Sequence, residues 1–310
     1  MPPTGLRYWV HQCTPPLLMR GLRVLRERWQ QVPAEVQRNR QLKQRFPNPD
    51  RCFILGNGPS IKKQNLLLLK NEVTFACNFF NLHPQAAELA PTFYCFGDAN
   101  TFIPKTFNEN LEIDRTAWFV DICAKAPQTE FFVPYAAKDV IAAQQWFAGR
   151  RLWYVMQKGI STELNRASAE LDRIIPNGMG TVAAVAIPAA LYMGFKKIYL
   201  LGCDCNWFVQ AMAKEEFDRE CDHFYDRNPY MKRESNLTDF GMEVELRCLS
   251  DHFKSLRLLM ELAIEQGQEI WNATQGGLLD VFPRVRYESL FLDANTPGQP
   301  TPATMSASAK

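Results

Sequence analysis

Three short polar clusters each follow an apolar run, and their residue types suit the holding of an anionic ligand. The first is Gly56-Asn57-Gly58-Pro59-Ser60, directly after Cys52-Phe-Ile-Leu. Gly56 and Gly58 allow a tight turn and a close approach to a ligand. Pro59 suits the first turn of a helix, where its missing N–H is no loss. The N–H groups of Gly58 and Ser60, at a helix start, would favour an anion, and Asn57 can donate and accept beside them. The second cluster is Asn78 after Val73–Cys77, and the third is Gly97-Asp98-Ala99-Asn100 after Phe93–Phe96. Any one of these could be only a turn. The first lacks both a Walker Gly-Lys-Ser/Thr and a Gly-x-Gly-x-x-Gly, so alone it names no ligand. Three at successive strand ends favour a site, because ligands of open parallel sheets bind beyond the carboxyl ends of the strands.

The second half of the chain adds to this edge. Gly178, Gly180 and Thr181 precede an apolar helix, with Thr181 as its cap and the glycines keeping its N-terminus open. Gly194-Phe-Lys-Lys-Ile-Tyr-Leu-Leu-Gly-Cys203-Asp204 reads as a turn and a buried strand ending in a carboxylate. Asp204 could meet a ribose, a phosphate-bound water or a backbone turn. Cys203, Cys205, Cys221 and His223 lack the paired Cys-x-x-Cys spacing of a zinc site, so core and loop cysteines are the better reading. Transfer to a hydroxyl needs a base near it, and histidine suits neutral pH. Of the four histidines, His223 is the candidate, because Asp222 and Asp226 flank it in a polar, aromatic segment; the competing reading is an ordinary loop histidine. Arg227, Lys232 and Arg233 could neutralise a leaving phosphate or form a solvated loop. The glycines of Asn272-Ala-Thr-Gln-Gly-Gly277 could approach a nucleotide, and Phe282–Tyr287 reads as a packing segment with incidental basic residues. Asn272-Ala-Thr274 is a glycosylation sequon only in a secreted chain.

These clusters need a scaffold of alternating elements. Strands are expected at Arg51–Leu55, Val73–Cys77, Thr92–Phe96, Thr116–Asp121, Glu130–Val133, Leu152–Val155, Lys197–Leu201 and Glu269–Trp271. Helices are expected at Ser60–Lys70, Gln144–Arg150, Glu163–Arg173, Thr181–Met193 and Met242–Gln266. Strands spaced by helices predict a mostly parallel α/β sheet with helices on both faces. The expected domain spans 47–293, with an irregular lid at 206–239. Residues 1–46 form a separate extension, in which Pro16 to Gln30 reads as a basic amphipathic helix. Contact of residues 7–30 with an anionic membrane surface is one reading, and packing on the domain is the other. Residues 294–310, rich in Thr, Pro, Ser and Ala, read as a disordered tail.

The 310 residues suffice for one large domain or two small ones, and at 46% hydrophobic and 22% charged they can bury an ordinary core. A net charge of +2 demands no nucleic-acid partner. Of the nine cysteines, Cys52, Cys77, Cys95 and Cys203 lie in or beside apolar runs, which points to core thiols in a reducing compartment. Neither a secretion signal nor an apolar run of membrane-spanning length stands out, so the expected location is cytoplasmic, with the inner membrane face as the place a peripheral contact would form.

As an ordered set, Ile-Leu-Gly56-Asn57-Gly58-Pro-Ser60-Ile, Cys77-Asn78, the Gly180-Thr181 helix, Gly-Phe-Lys-Lys-Ile-Tyr-Leu-Leu-Gly-Cys-Asp204 and Asp222-His223-Phe224-Tyr225 resemble two related groups over about residues 51 to 290. One is the bacterial family-42 sialyltransferases. The other is the family described as 6-hydroxymethylpterin diphosphokinase-like, found in surface-polysaccharide loci, which Trp271-Asn-Ala-Thr-Gln-Gly-Gly277 and Val281-Phe-Pro-Arg-Val285 resemble most. The resemblance implies a Rossmann-like, GT-A-related fold and an inverting, metal-independent glycosyltransferase with no cofactor. It implies a nucleotide-sugar donor such as a CMP-sugar and a surface glycan or glycolipid acceptor. It also implies donor contacts at Asn57 and Asn78, and more loosely at Asp98 or Asn100, Gly180-Thr181 and Tyr225. Lid tyrosines hold the phosphate in the sialyltransferases; Trp207 and Tyr225 stand in that region here without matching their pattern. Pyrophosphoryl transfer from ATP to a pterin is the second implied activity, needing Mg²⁺ and a carboxylate pair, for which Asp98 and Asp204 are the candidates. A nucleotide-binding assembly protein on the same fold is the third reading, and an oligomer is compatible with all three.

Overall fold

The computed structural model describes residues 31–103, 113–157, 167–175, 183–206, 224–225, 228–231 and 242–292. The chain divides into two compact units, Met1–Ala34 and Glu35–Lys310. The described elements from Glu35 onward belong to the second. The expected basic helix at 16–30, the tail, Gly180, Thr181, His223 and most of the expected lid lie outside the described residues.

Eight strands form one sheet: β1 (Arg51–Leu55), β2 (Val73–Cys77), β3 (Phe93–Cys95), β4 (Glu130–Pro134), β5 (Leu152–Gln157), β6 (Ile174–Ile175), β7 (Lys197–Leu201) and β8 (Glu269–Asn272). Their order is β6-β5-β4-β3-β2-β1-β7-β8, and every pairing is parallel. The architecture is α/β and Rossmann-like. Strands of such a sheet are covered on both faces, which is why Cys52-Phe-Ile-Leu and Ile198-Tyr-Leu-Leu are unbroken apolar runs. From β1 the chain steps outward through β2 to β6, then returns to the other side of β1 at β7. The order therefore reverses between β1 and β7, the place where ligands of open α/β sheets bind.

Alternate residues feed two cores. Cys52, Ile54, Phe75 and Leu200 pack under α4 (Ala183–Tyr192) and α5 (Met242–Glu265). Phe53, Leu55, Ala76 and Leu201 pack under α1 (Ala86–Leu89), α2 (Arg115–Lys125) and α3 (Lys138–Ala143). Helix α4 carries Pro188 in its interior. Proline cannot donate to the carbonyl four residues back. That carbonyl, Ala184 O, instead accepts from Gln157 Nε2 at 3.0 Å. No described helix is long and apolar enough to cross a membrane.

Four local expectations differ from the structure. Thr116–Asp121 is not a strand but lies in α2. Asp114 caps that helix by accepting from Ala117 N, and Trp118, Phe119 and Ile122 share its buried face while Val120 is exposed. That is a helical spacing, since a strand would bury Val120 beside Trp118. Gln144–Arg150 is not helical either; the helix precedes it as α3. Positive φ at Gln145, Phe147 and Gly149 breaks the chain there and turns Phe147 onto Phe131 and Phe119. Ser60–Lys70 forms two short 3₁₀ turns, Pro59–Lys63 and Leu66–Leu69, parted because Gln64 is pulled extended to donate to Ala273 O. The described part of Glu163–Arg173, residues 167–173, is turn rather than helix; Leu171 O accepts from the Asn39 amide.

Candidate functional site

The turn after β1 is clamped to the end of β7. Gly56 N donates to Leu201 O and Gly58 N to Gly202 O, each at 2.8 Å. A Cβ at Gly56 would stand 2.4 Å from Gly202 O, so glycine is required by the neighbouring backbone. Asp204 reaches back beneath the turn. Its Oδ2 accepts the Ser60 hydroxyl at 2.7 Å, and the carboxyl also takes a backbone bond from Ser60. Burial raises the Asp204 pKa, opposed by the Ser60 bonds and by Lys63. Thus the anion-favouring position at the start of the Pro59–Lys63 turn holds the chain's own carboxylate. The Gly58 N–H, expected to face a ligand, is engaged, and Ser60 is buried. Of the contacts open to Asp204 in sequence, the structure places it on the backbone turn.

The segment after β8 locks Asp204 from the other side. Leu278 N donates to Asp204 O at 2.7 Å, and a Cβ at Gly277 would meet Asp204 Cα at 2.7 Å. Cys203 N donates to Thr274 Oγ1, whose own N–H is held by Asn272 Oδ1. Arg284 donates to the carbonyls of Thr274, Gly276, Gly277 and Leu279. Gly277 therefore packs closely against the Asp204 backbone, and Arg284, expected to be incidental, anchors this segment. Asn272 is fully buried, which closes the sequon to any glycan.

Asn57 and Asn78 come together at the ends of β1 and β2. Asn57 Nδ2 donates to Cys77 O at 3.1 Å, and its carbonyl accepts from Phe224 N at 2.9 Å. Its Oδ1 is buried with no partner among the described residues. A buried acceptor left unmatched costs free energy in the empty protein and becomes favourable when a donor arrives. Asn78 sits at φ +45°, a left-handed conformation that asparagine tolerates, and its carbonyl accepts the Tyr94 hydroxyl at 2.6 Å. The next residue, Phe79, stacks on Trp118 at 3.9 Å and meets Tyr225 edge-on at 5.9 Å. Phe224 packs on His83 and Phe80.

A polar network anchors the far end of the lid region. Asn81 Nδ2 donates to Asp121 and to the Tyr230 hydroxyl, while Asn81 Oδ1 accepts from Trp118 Nε1. The Tyr230 hydroxyl donates to Asp121 Oδ2, which also pairs with Lys125. Burial raises the Asp121 pKa, but the bonds from Lys125, Asn81 and Tyr230 outweigh it and hold the carboxyl below its ordinary range. Phe79, Asn81, Trp118, Asp121 and Tyr230 escaped the sequence reading. The signal was Asn78-Phe-Phe-Asn81, two amides three residues apart around an aromatic pair directly after a strand.

Asp98 caps the turn Ala99–Thr101, taking both the backbone N–H and the side-chain amide of Asn100, and is exposed. It ends β3, and β2 and β1 separate it from β7. Three strand spacings put Asp98 about 14 Å from Asp204. The two do not form the carboxylate pair required for the pyrophosphoryl reading, and no cluster among the described residues is arranged to hold a metal. The described histidines are His83 and His252. His83 is buried and half of a ring stack with Phe80, and burial lowers its pKa. His252 Nε2 lies 3.4 Å from Cys205 Sγ, and burial lowers its pKa to about 4.

No protein-family model matches the chain, and no curated protein matches it. Among solved structures it is similar to a sialyltransferase from Campylobacter jejuni in complex with a substrate analogue, cytidine-5'-monophosphate. The identity is 13% and the TM-score 0.43, over 77% of this chain and 86% of that one. A likeness at that level assigns no residue roles.

Proposed function

We propose that this chain is a glycosyltransferase that moves a sugar, sialic-acid-like among the candidates, from a nucleotide-activated donor to a surface glycan or glycolipid. The observation that carries the reading is the buried Asn57 Oδ1, which has no partner among the described residues, on a side chain held at the β1 end by its bond to Cys77 O. An N–H group of the donor nucleotide satisfies it. Asn78, Tyr225, Gly180 and Thr181 complete the donor contacts, with Asp98 and Asn100 at the edge. Gly56, Gly58, Ser60 and Asp204 act by shaping the turn that presents Asn57.

His223 takes the proton of the acceptor hydroxyl. The hydroxyl oxygen attacks the anomeric carbon from the face opposite the leaving group, the bond to the phosphate oxygen breaks, and the nucleotide departs with that electron pair. The configuration inverts and no metal takes part. In this reading the reaction takes place at the cytoplasmic side, where residues 7–30 bring the enzyme to a membrane-bound acceptor.

A thermal-shift panel of CMP-, UDP-, GDP- and ADP-linked ligands, with and without Mg²⁺, tests the donor class by mass action. One nucleotide class raising the midpoint, an effect lost in Asn57→Ala, is the expected result. No stabilisation by any member overturns it. Transfer by the purified protein, absent in His223→Ala, separates an enzyme from a nucleotide-binding assembly protein; full transfer by that variant removes His223 as the base.

A further inference from the structure

At the opposite end of the sheet, where the strands begin, Arg38, Gly149, Arg150, Arg151, Leu152 and Tyr154 line an open pocket of about 480 Å³. We propose that this pocket binds a phosphate group and is a second site, distinct from the one at the strand ends. It lies at β5, four strand spacings or roughly 19 Å across the sheet from β1.

The Arg38 and Arg150 guanidiniums are each held by a backbone carbonyl. Arg38 Nη2 donates to Leu152 O at 2.6 Å, and Arg150 Nη2 donates to Cys123 O at 2.9 Å. Neither pairs with a carboxylate among the described residues. The guanidiniums of Arg38 and Arg151 both lie 5.8 Å from the Trp153 ring centroid. The acid beside Arg151 is Glu130, at 3.7 Å, and its oxygens are already taken by Arg45 at 2.8 Å and by Trp153 Nε1 at 2.7 Å. Glu35 is paired with Lys138 and also lies within electrostatic reach of Arg38, Asp172 is paired with Arg40, and Asp139 is exposed. Positive charge therefore exceeds negative charge around the pocket.

Arg38 is anchored by one N–H bond and the Trp153 ring, Arg150 by Cys123, and Arg151 by the Trp153 ring and the Glu130 ion pair; each guanidinium has five N–H donors, so donors remain for a ligand. Several guanidiniums lining one pocket suit the several oxygens of a tetrahedral phosphate, and prior anchoring lowers the entropy lost on binding. Tyr154 adds a hydroxyl, which burial keeps protonated by raising its pKa. Because the pocket is open, the phosphate can be the end of a larger molecule: a phospholipid headgroup or a soluble phosphate ester.

The test uses the full chain at constant ionic strength. Inorganic phosphate is titrated by calorimetry into the parent, Arg150→Gln/Arg151→Gln and Arg151→Glu. The expected result is saturable binding that weakens tenfold or more in both variants, with thermal unfolding midpoints close to the parent's. Arg151→Glu guards against misfolding of the double variant, since Arg151 holds no backbone carbonyl. Flotation with phosphatidylglycerol and with phosphatidylcholine vesicles then separates the sources. Arginine-dependent binding to the first that free phosphate displaces assigns a lipid headgroup; phosphate binding without vesicle binding assigns a soluble ester. Equal phosphate affinity in parent and variants, or no phosphate binding by the parent, overturns the proposal.

Discussion

A methyl group added at Gly58 would stand 1.8 Å from Oδ2 of Asp204 and 2.7 Å from Gly202 O. The first contact could be relieved by moving a side chain; the second is backbone and cannot be. Gly58→Ala therefore pushes β7's terminal loop away and breaks the Ser60–Asp204 bond. We expect a loss of about 1–3 kcal/mol in urea unfolding, together with lost donor binding. A variant as stable as the parent would show that the clamp between β1 and β7 is loose.

Asn57→Ala should separate stability from binding. In the empty protein it removes one bond to Cys77 O, but it also removes a buried acceptor with no partner among the described residues, and the two effects oppose each other. The expected change in unfolding free energy is under about 1 kcal/mol, whereas donor affinity falls by about 1–3 kcal/mol because the matched acceptor is gone. Paired urea melts and donor titrations check this. A large stability loss with unchanged affinity would make Asn57 purely structural.

Arg284→Ala leaves the carbonyls of Thr274, Gly276, Gly277 and Leu279 without their shared donor. A destabilisation of about 1–3 kcal/mol is expected, with faster amide exchange at Leu278, which donates to Asp204 O. Arg284→Lys should recover little, because a single ammonium cannot span the four carbonyls.

His252 makes stability depend on pH. Its folded pKa of about 4 lies below the ordinary 6.5. Below pH 6.5 the unfolded chain takes up the proton first, so the contribution is full above pH 6.5 and is lost as pH falls toward 4. Between pH 7.5 and 5 the loss is about 2 kcal/mol. His83, also lowered by burial, adds in the same direction. Urea melts of the parent and of His252→Asn at the two pH values isolate the His252 share. A pH difference of equal size in both proteins would assign it elsewhere.

Much of the fold was legible because its signals are local. Unbroken apolar runs ending in glycine marked β1 and β7, whose burial on both faces leaves no alternation to misread. Misreadings fell where a tertiary contact decides the conformation. Trp118-Phe119 looks like a strand until its partners, Phe79 and Asn81, are seen on one side of a helix. Trp146-Phe147 looks helical until Phe147 turns onto Phe131.

The sequence by itself determined that a β1 turn of glycines and an asparagine, a second asparagine after β2 and an aspartate after β7 lie at strand ends, because residue order and periodicity specify which end of a strand a residue occupies. Only the tertiary structure decided their roles. Strand order brought β7 rather than β3 beside β1, so Asp204 clamps the turn and Asp98 stands apart. Which polar atoms are matched is a property of packed neighbours, and among the described residues that matching left Asn57 Oδ1 without a partner while closing the N–H groups of Gly56 and Gly58.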